Sequence, residues 1–161
     1  MAIAPNNEFI SGQVLTAAEC NAFPFGIVAR AVSNTDYTLT TSYAIATGMS
    51  VTFTAIANRY YKITYMEPQC QTANVTNADT NLQIRVTDAS GTLLNTGFIR
   101  AEVSAQDTGT ITLVSTSTFS AGSVTIVGVA KTSSTSSAPV LGRNAAVAGP
   151  ALLLVEDIGP A

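Results

Sequence analysis

The chain has 161 residues, a formal net charge of −3 and 11% charged residues, less than half the roughly 25% of an ordinary soluble domain. Hydrophobic residues make up 47% and mean hydropathy is +0.32, which excludes a disordered chain. The seven basic residues, among them Arg30, Arg59 and Arg143, are scattered singly, so the sequence shows none of the clustered positive charge that nucleic-acid binding requires.

The length suits one domain with a real core, and Thr, Ser, Asn and Ala must cover the surface that charge leaves bare. No apolar run reaches the length of a transmembrane helix, so no membrane insertion is expected. The start, MAIAPNNEF, lacks the basic region and long apolar segment of a signal peptide, and synthesis in a cytoplasm is expected. Cys20 and Cys70 are then read as two free, mostly buried thiols. Two cysteines without histidine make no structural zinc site.

In chain order, residues 1–25 form an arm. Within it, LTAAEC carries a capping box between Thr16 and Glu19, with Leu15 and Cys20 as its hydrophobic staple. Pro24 and Gly26 limit that helix to one or two turns. The arm also holds Ile3, Phe9, Ile10, Val14, Phe23 and Phe25, apolar groups with too little regular structure to bury them, and docking onto a partner is expected.

Residues 26–161 read as the β-sandwich domain. IVARAVS alternates loosely. MSVTFTAIA sets Val51, Phe53 and Ala55 on one face, and YYKITYMEP does the same with Tyr61, Ile63 and Tyr65. With Asn58-Arg59 between them, the two runs predict a β-hairpin, its tyrosines Tyr61 and Tyr65 in the core. NLQIRVTD follows, with Leu82, Ile84 and Val86 inward and Gln83, Arg85 and Thr87 outward. GFIRAEVS, TITLVSTST and VTIVGVAKT complete the series, with DASG and SAQDTG as turn-rich breaks. KTSSTSSAPVLGRNAAVAGP reads as a linker or long loop. Short strands without intervening helices predict an all-β, antiparallel β-sandwich or jelly roll.

The last strand, Ala151 to Asp157, is apolar on both faces through Leu152, Leu153, Leu154 and Val155. A strand of that kind is buried on both sides, so a neighbouring subunit or the arm is expected to cover one of them. Glu156 and Asp157 are expected just outside the buried stretch, solvated by water or by Arg30 or Arg143, with Gly159-Pro160 ending the strand.

No catalytic constellation emerges. Without histidine there is no Ser-His-Asp triad or Cys-His pair, and the G-x-S-x-G, P-loop and G-x-G-x-x-G patterns are missing. Glu156 and Asp157 are strand neighbours and point to opposite faces, unlike the facing carboxylates of a glycosidase. Asn77, Asp79 and Asn81 have the alternate spacing of half a calcium loop, but Leu82 stands where glycine belongs and the distal Glu is missing, so a polar turn is the reading. NVT at Asn74 is likewise read as turn composition. The expectation is a protein that is not an enzyme, with no catalytic, cofactor or metal site.

Three segments together are family-like: GQVLTAAECNAFPFG near the start, GMSVTFTAIANRYYKITY in the middle and LLLVEDIGP at the end. They resemble a group of small tailed-bacteriophage virion proteins, usually labelled minor tail proteins. The stretch Gly12 to Asn21 is similar to the G-x-V-L-T-A-x-x-x-N opening of many tail-fibre segments, with Cys20 where an apolar residue such as Met is expected. The likeness weakens from Thr92 to Ala148. It implies a homotrimer of β-domains, assembled in the host bacterial cytoplasm without disulfides and carried on the virion beside tail or capsid proteins. The leading expectation is a surface-exposed minor tail or tail-fibre-type protein. A capsid decoration (cement) protein is the first alternative, and a carbohydrate-binding receptor module that takes a host-surface glycan is the second.

Overall fold

The computed structural model describes residues 12, 14, 16, 17, 20, 23–144 and 148–161. In the arm, the Cys20 amide donates to the Thr16 carbonyl at 3.0 Å, closing one α-turn, and Cys20 is exposed where burial was expected. Glu19 and Leu15, which the capping box and staple require, lie outside the described residues, as do Ile3, Phe9 and Ile10.

Ten strands follow among the described residues: β1 (Gly26–Ser33), β2 (Tyr37–Thr38), β3 (Ala44–Ala55), β4 (Arg59–Gln71), β5 (Asp79–Val86), β6 (Leu93–Arg100), β7 (Thr108–Thr118), β8 (Gly122–Thr132), β9 (Val140–Gly142) and β10 (Ala151–Pro160). They build the expected antiparallel β-sandwich. One sheet has six strands, with β10 between β1 and β4; the other has four, in the order β3-β8-β5-β6. β4 is the spine of the larger sheet. Its one edge takes β7, and its other edge takes β10 along Arg59 to Met66 and then β9 at Gln69 and Cys70.

Period-two alternation supplies the core. Tyr61, Ile63 and Tyr65 of β4, Leu153 and Val155 of β10 and Leu113 of β7 turn inward from the larger sheet. Val51 and Phe53 of β3, Leu82 and Ile84 of β5 and Ile126 of β8 meet them from the smaller one. The Phe53 and Tyr61 rings lie 5.0 Å apart, and Phe119 joins both at 6.0 and 5.8 Å.

That ring contact corrects the expected hairpin. β3 and β4 do not pair; they belong to opposite sheets, and Ile56 to Asn58 carries the chain across the core as an arch. Asn58 makes the bend with a φ of 60°, a conformation that asparagine tolerates. Two apolar strand faces are satisfied equally by lying side by side or by facing each other, and here they face.

Other boundaries also move. β6 ends at Arg100, earlier than GFIRAEVS suggested, because Ala101 turns inward onto Ala73 and Ala78. The segment read as a linker contains β9, with Leu141 and Arg143 at 0% exposure, so it returns through the core. β10 runs through Pro160, which lies opposite Arg59; the Ala161 amide then donates to the Asn58 carbonyl at 2.8 Å. Proline therefore does not stop this strand: the missing donor is tolerated at its last position.

Candidate functional site

Two ion pairs stand where their strands meet, and both differ from the expected partners. Arg143 does not solvate Glu156 or Asp157. Its guanidinium lies inside the sandwich, donating to Glu67 Oε2 at 2.9 Å and Oε1 at 2.5 Å, and to the Thr47 carbonyl at 2.5 Å. Tyr65 Oη donates to Glu67 Oε1 at 2.5 Å, and the Arg143 amide donates to Asp36 Oδ1 at 2.7 Å. Burial pulls the guanidinium pKa down, but the hydrogen bond and charge of Glu67 outweigh it and hold the pKa above its ordinary value. Every arm of the pair is occupied, which makes it a lock between β4, β9 and the loops around β2, with nothing left to offer a ligand.

The second pair closes the end of β10. Asp157 is 1% exposed, so it is not outside the buried stretch; Arg59 clamps it from Nε and from Nη2, the latter at 2.6 Å to Oδ1. Arg59 Nη2 also donates to the Phe23 carbonyl at 2.5 Å, and its guanidinium carbon lies 4.0 Å from the Phe25 ring centroid. The Phe25 amide donates to Asp157 Oδ1 at 3.4 Å. The end of the arm is thus tied to the sheet. Glu156, on the opposite face as alternation requires, pairs with Lys62 at 2.9 Å.

The outer face of the six-stranded sheet follows from register. Val32, Leu152 and Met66 form one cross-strand row, and Arg30, Leu154, Thr64 and Val114 the next. Val32 and Val114 are 42% and 48% exposed, and Leu152, Leu154 and Met66 are half-buried. So the four apolar residues of β10 divide: Leu153 and Val155 go to the intrachain core, while Leu152 and Leu154 stay on this open face.

The outer face of the four-stranded sheet has a different character. Asn81, Gln83 and Arg85 of β5 stand beside Lys131, Val129 and Val127 of β8, and beside Phe98 and Thr96 of β6. Val127 and Val129 are at 0% exposure and Gln83 at 5%, so the outward direction expected for Gln83 holds while its exposure does not. Longer side chains gather on the same face. The Tyr43 ring has Lys131 Nζ 4.4 Å and the Arg85 guanidinium 5.5 Å from its centroid. Tyr43 Oη donates to Asn81 Oδ1 at 3.0 Å. Phe98 is 57% exposed, with the Arg100 guanidinium 5.5 Å from its ring. Arg100 pairs with Asp79, which accounts for that carboxylate without a metal.

The sequence reading placed Arg85 on an outer face but did not find Tyr43, Phe98 and Lys131 as its neighbours. Phe98 and Lys131 lie on β6 and β8 and Tyr43 in the segment just before β3, and only the folded sheet brings them together. Tyr61 and Tyr65 are core residues, as expected, and both cysteines are free. Among the described residues no three His, Cys, Asp or Glu side chains group to hold a metal ion.

No protein family matches the chain, and no curated protein does. Solved structures similar to it include CBM35 from Cellvibrio japonicus, with 13% identity over 86% of this chain and 94% of that one and a TM-score of 0.28. The CBM22-1 xylan-binding domain from Paenibacillus barcinonensis has 12% identity over 80% and 96%, with a TM-score of 0.28. The enzymatically active domain of bacteriophage CBA120 tailspike protein 4 has 13% identity over 84% of this chain and 19% of that one, with a TM-score of 0.25. Superpositions this loose assign neither ligand nor reaction to the present chain.

Proposed function

We propose that the chain is a non-enzymatic structural component of a bacteriophage virion, exposed on the particle as a minor tail or tail-fibre-type protein and working as a homotrimer. The observation that carries the reading is the open apolar face of the six-stranded sheet, where Val32, Leu152, Leu154, Met66 and Val114 lie in adjacent rows. A chain with 11% charged residues has little else with which to keep such a face solvated, and subunit packing removes it from water. The resemblance of Gly12 to Asn21 to tail-fibre openings supports the same reading. Assembly takes place in the host cytoplasm. Mass photometry of the full chain tests it: a trimer is expected, and a monomer at every concentration, with no trimer in particles, overturns it. Copy number separates the tail reading from capsid decoration, since a cement protein is present in hundreds.

A second reading, a receptor module that binds a host-surface glycan, is favoured by the outer face of the four-stranded sheet, where Tyr43 and an exposed Phe98 flank a set of polar side chains. The two readings use opposite faces of the sandwich and are compatible.

A further inference from the structure

We infer that the outer face of the four-stranded sheet binds an acidic glycan, one whose sugars carry carboxylate or phosphate, with Lys131, Arg85 and Asn81 as its polar contacts and Phe98 as its stacking surface. This rests on the second reading above and is independent of the first.

Four features of the face point to an anion on a sugar chain. First, its charge is positive in a chain whose net charge is −3. Lys131, Arg85 and Arg100 stand on it against the Asp79 carboxylate, which Arg100 already engages through both oxygens at 2.6 and 2.9 Å. Asp88, in the loop after β5, is held by the amide and hydroxyl of Ser90 at 2.8 and 2.7 Å. Among the described residues Lys131 and Arg85 form no ion pair.

Second, the uncommitted groups are donors. Tyr43 Oη donates to Asn81 Oδ1, and Thr96 Oγ1 lies 3.2 Å from the same oxygen, so the acceptor end of the amide is used while its NH2 has no acceptor among the described residues. Gln83 repeats the arrangement: its Oε1 accepts from Arg85 Nε at 2.6 Å, and its nitrogen has no acceptor among the described residues. A surface of NH groups and cations selects a ligand rich in oxygen acceptors, and above all an anionic one.

Third, the groups are held in place. Arg85 Nη1 donates to the Gly91 carbonyl at 2.7 Å, and Arg85 and Lys131 both lie over the Tyr43 ring. Side chains fixed before binding lose little entropy on contact. Fourth, Phe98 stands beside them at 57% exposure, directly opposite Asn81 in the ladder. An aromatic face at the edge of a polar strip is what a sugar ring stacks on.

The test is titration calorimetry with the full-length protein and three probes: trigalacturonate, mannotriose 6-phosphate and neutral galactotriose. One or both acidic probes bind, and the binding weakens as salt is raised. Lys131→Ala and Phe98→Ala each reduce affinity about tenfold or more, with the melting temperature monitored as the control for folding. Which acidic probe binds decides between carboxylate and phosphate. If galactotriose binds as tightly as the acidic probes and Phe98→Ala abolishes it, the anionic claim fails while the receptor reading stands. If no probe binds, both fail. Acidic-probe binding that survives both substitutions places the site elsewhere and overturns the inference.

Discussion

Arg143 and Glu67, 76 residues apart in sequence, form a two-pronged ion pair with neither side chain exposed to solvent. The pair ties the segment after β9 to the spine of the larger sheet, and removal of either partner strands the other charge in the core. Arg143→Met is expected to cost about 3–5 kcal/mol. The double variant Arg143→Met with Glu67→Leu should cost less than the single one, because no charge remains unpaired. Urea unfolding of the three proteins measures the difference.

Alkaline pH should weaken the fold through two groups. Burial, reinforced by the Glu67 charge, pushes the Cys70 thiol up to about 12 and the Tyr65 phenol well above its ordinary value. In the unfolded chain these groups ionise near 8.5 and 10. A group whose pKa is raised by folding contributes stability that is fully present below the unfolded value and is lost as pH rises toward the folded one. Stability should therefore fall from about pH 8.5 with a slope near 1.4 kcal/mol per pH unit, and more steeply once Tyr65 joins above about 10. Cys70→Ala should flatten the first part of that slope in unfolding curves collected between these values.

Gly128 of β8 lies flat against a tyrosine from the other sheet. A Cβ there would sit 2.7 Å from Tyr65 Cζ, and the Tyr65 hydroxyl is held by Glu67, so the ring has no room to swing. Gly128→Ala should cost about 1–3 kcal/mol. At Gly109 the nearest side-chain atom is 3.5 Å away, and Gly109→Ala should be close to neutral. Thermal melts of the two variants side by side check the contrast.

Neighbouring leucines of β10 should answer differently to the same change. Leu153 is at 0% exposure in the core, and Leu153→Asp should destabilise the monomer by about 4 kcal/mol or more. Leu154 is half-buried on the outer face beside Arg30 and Thr64, and Leu154→Asp should leave a folded monomer that no longer associates. Circular dichroism melts and mass photometry separate the outcomes. A folded trimer from Leu154→Asp would count against this face as the interface.

The Arg59–Asp157 clamp should be visible on the acid side. Burial alone would raise the Asp157 carboxyl, but hydrogen bonds from Arg59 and from the amides of Gly159 and Phe25 outweigh it and hold it below the ordinary value. Its contribution is present above the unfolded value of about 3.9 and is lost as pH falls through the lower folded one. Arg59→Ala should remove that acid-side loss and speed chymotrypsin cleavage after Phe25, whose ring it holds; the Phe23–Pro24 bond resists that protease because proline follows it.

What the chain settles locally was legible from its residues. Alternation assigned Tyr61, Ile63 and Tyr65, and Val51 and Phe53, to a core, because side-chain direction in a strand has period two whatever the strand pairs with. It also divided Glu156 from Asp157, and the absence of histidine removes the common catalytic arrangements.

Pairing, by contrast, is a property of the tertiary structure. Phe53 and Tyr61 carry the same apolar pattern in a hairpin and in an arch, and only the closed sandwich sets their rings 5.0 Å apart across the core. The polar run around Arg143 reads as a loop because its one decisive contact, Glu67, is contributed by a distant strand. Tyr43, Asn81, Phe98 and Lys131 become one surface for the same reason. Local propensity sets which way each side chain points, but which strands lie side by side depends on contacts summed over the whole fold, and those are not written at any single position.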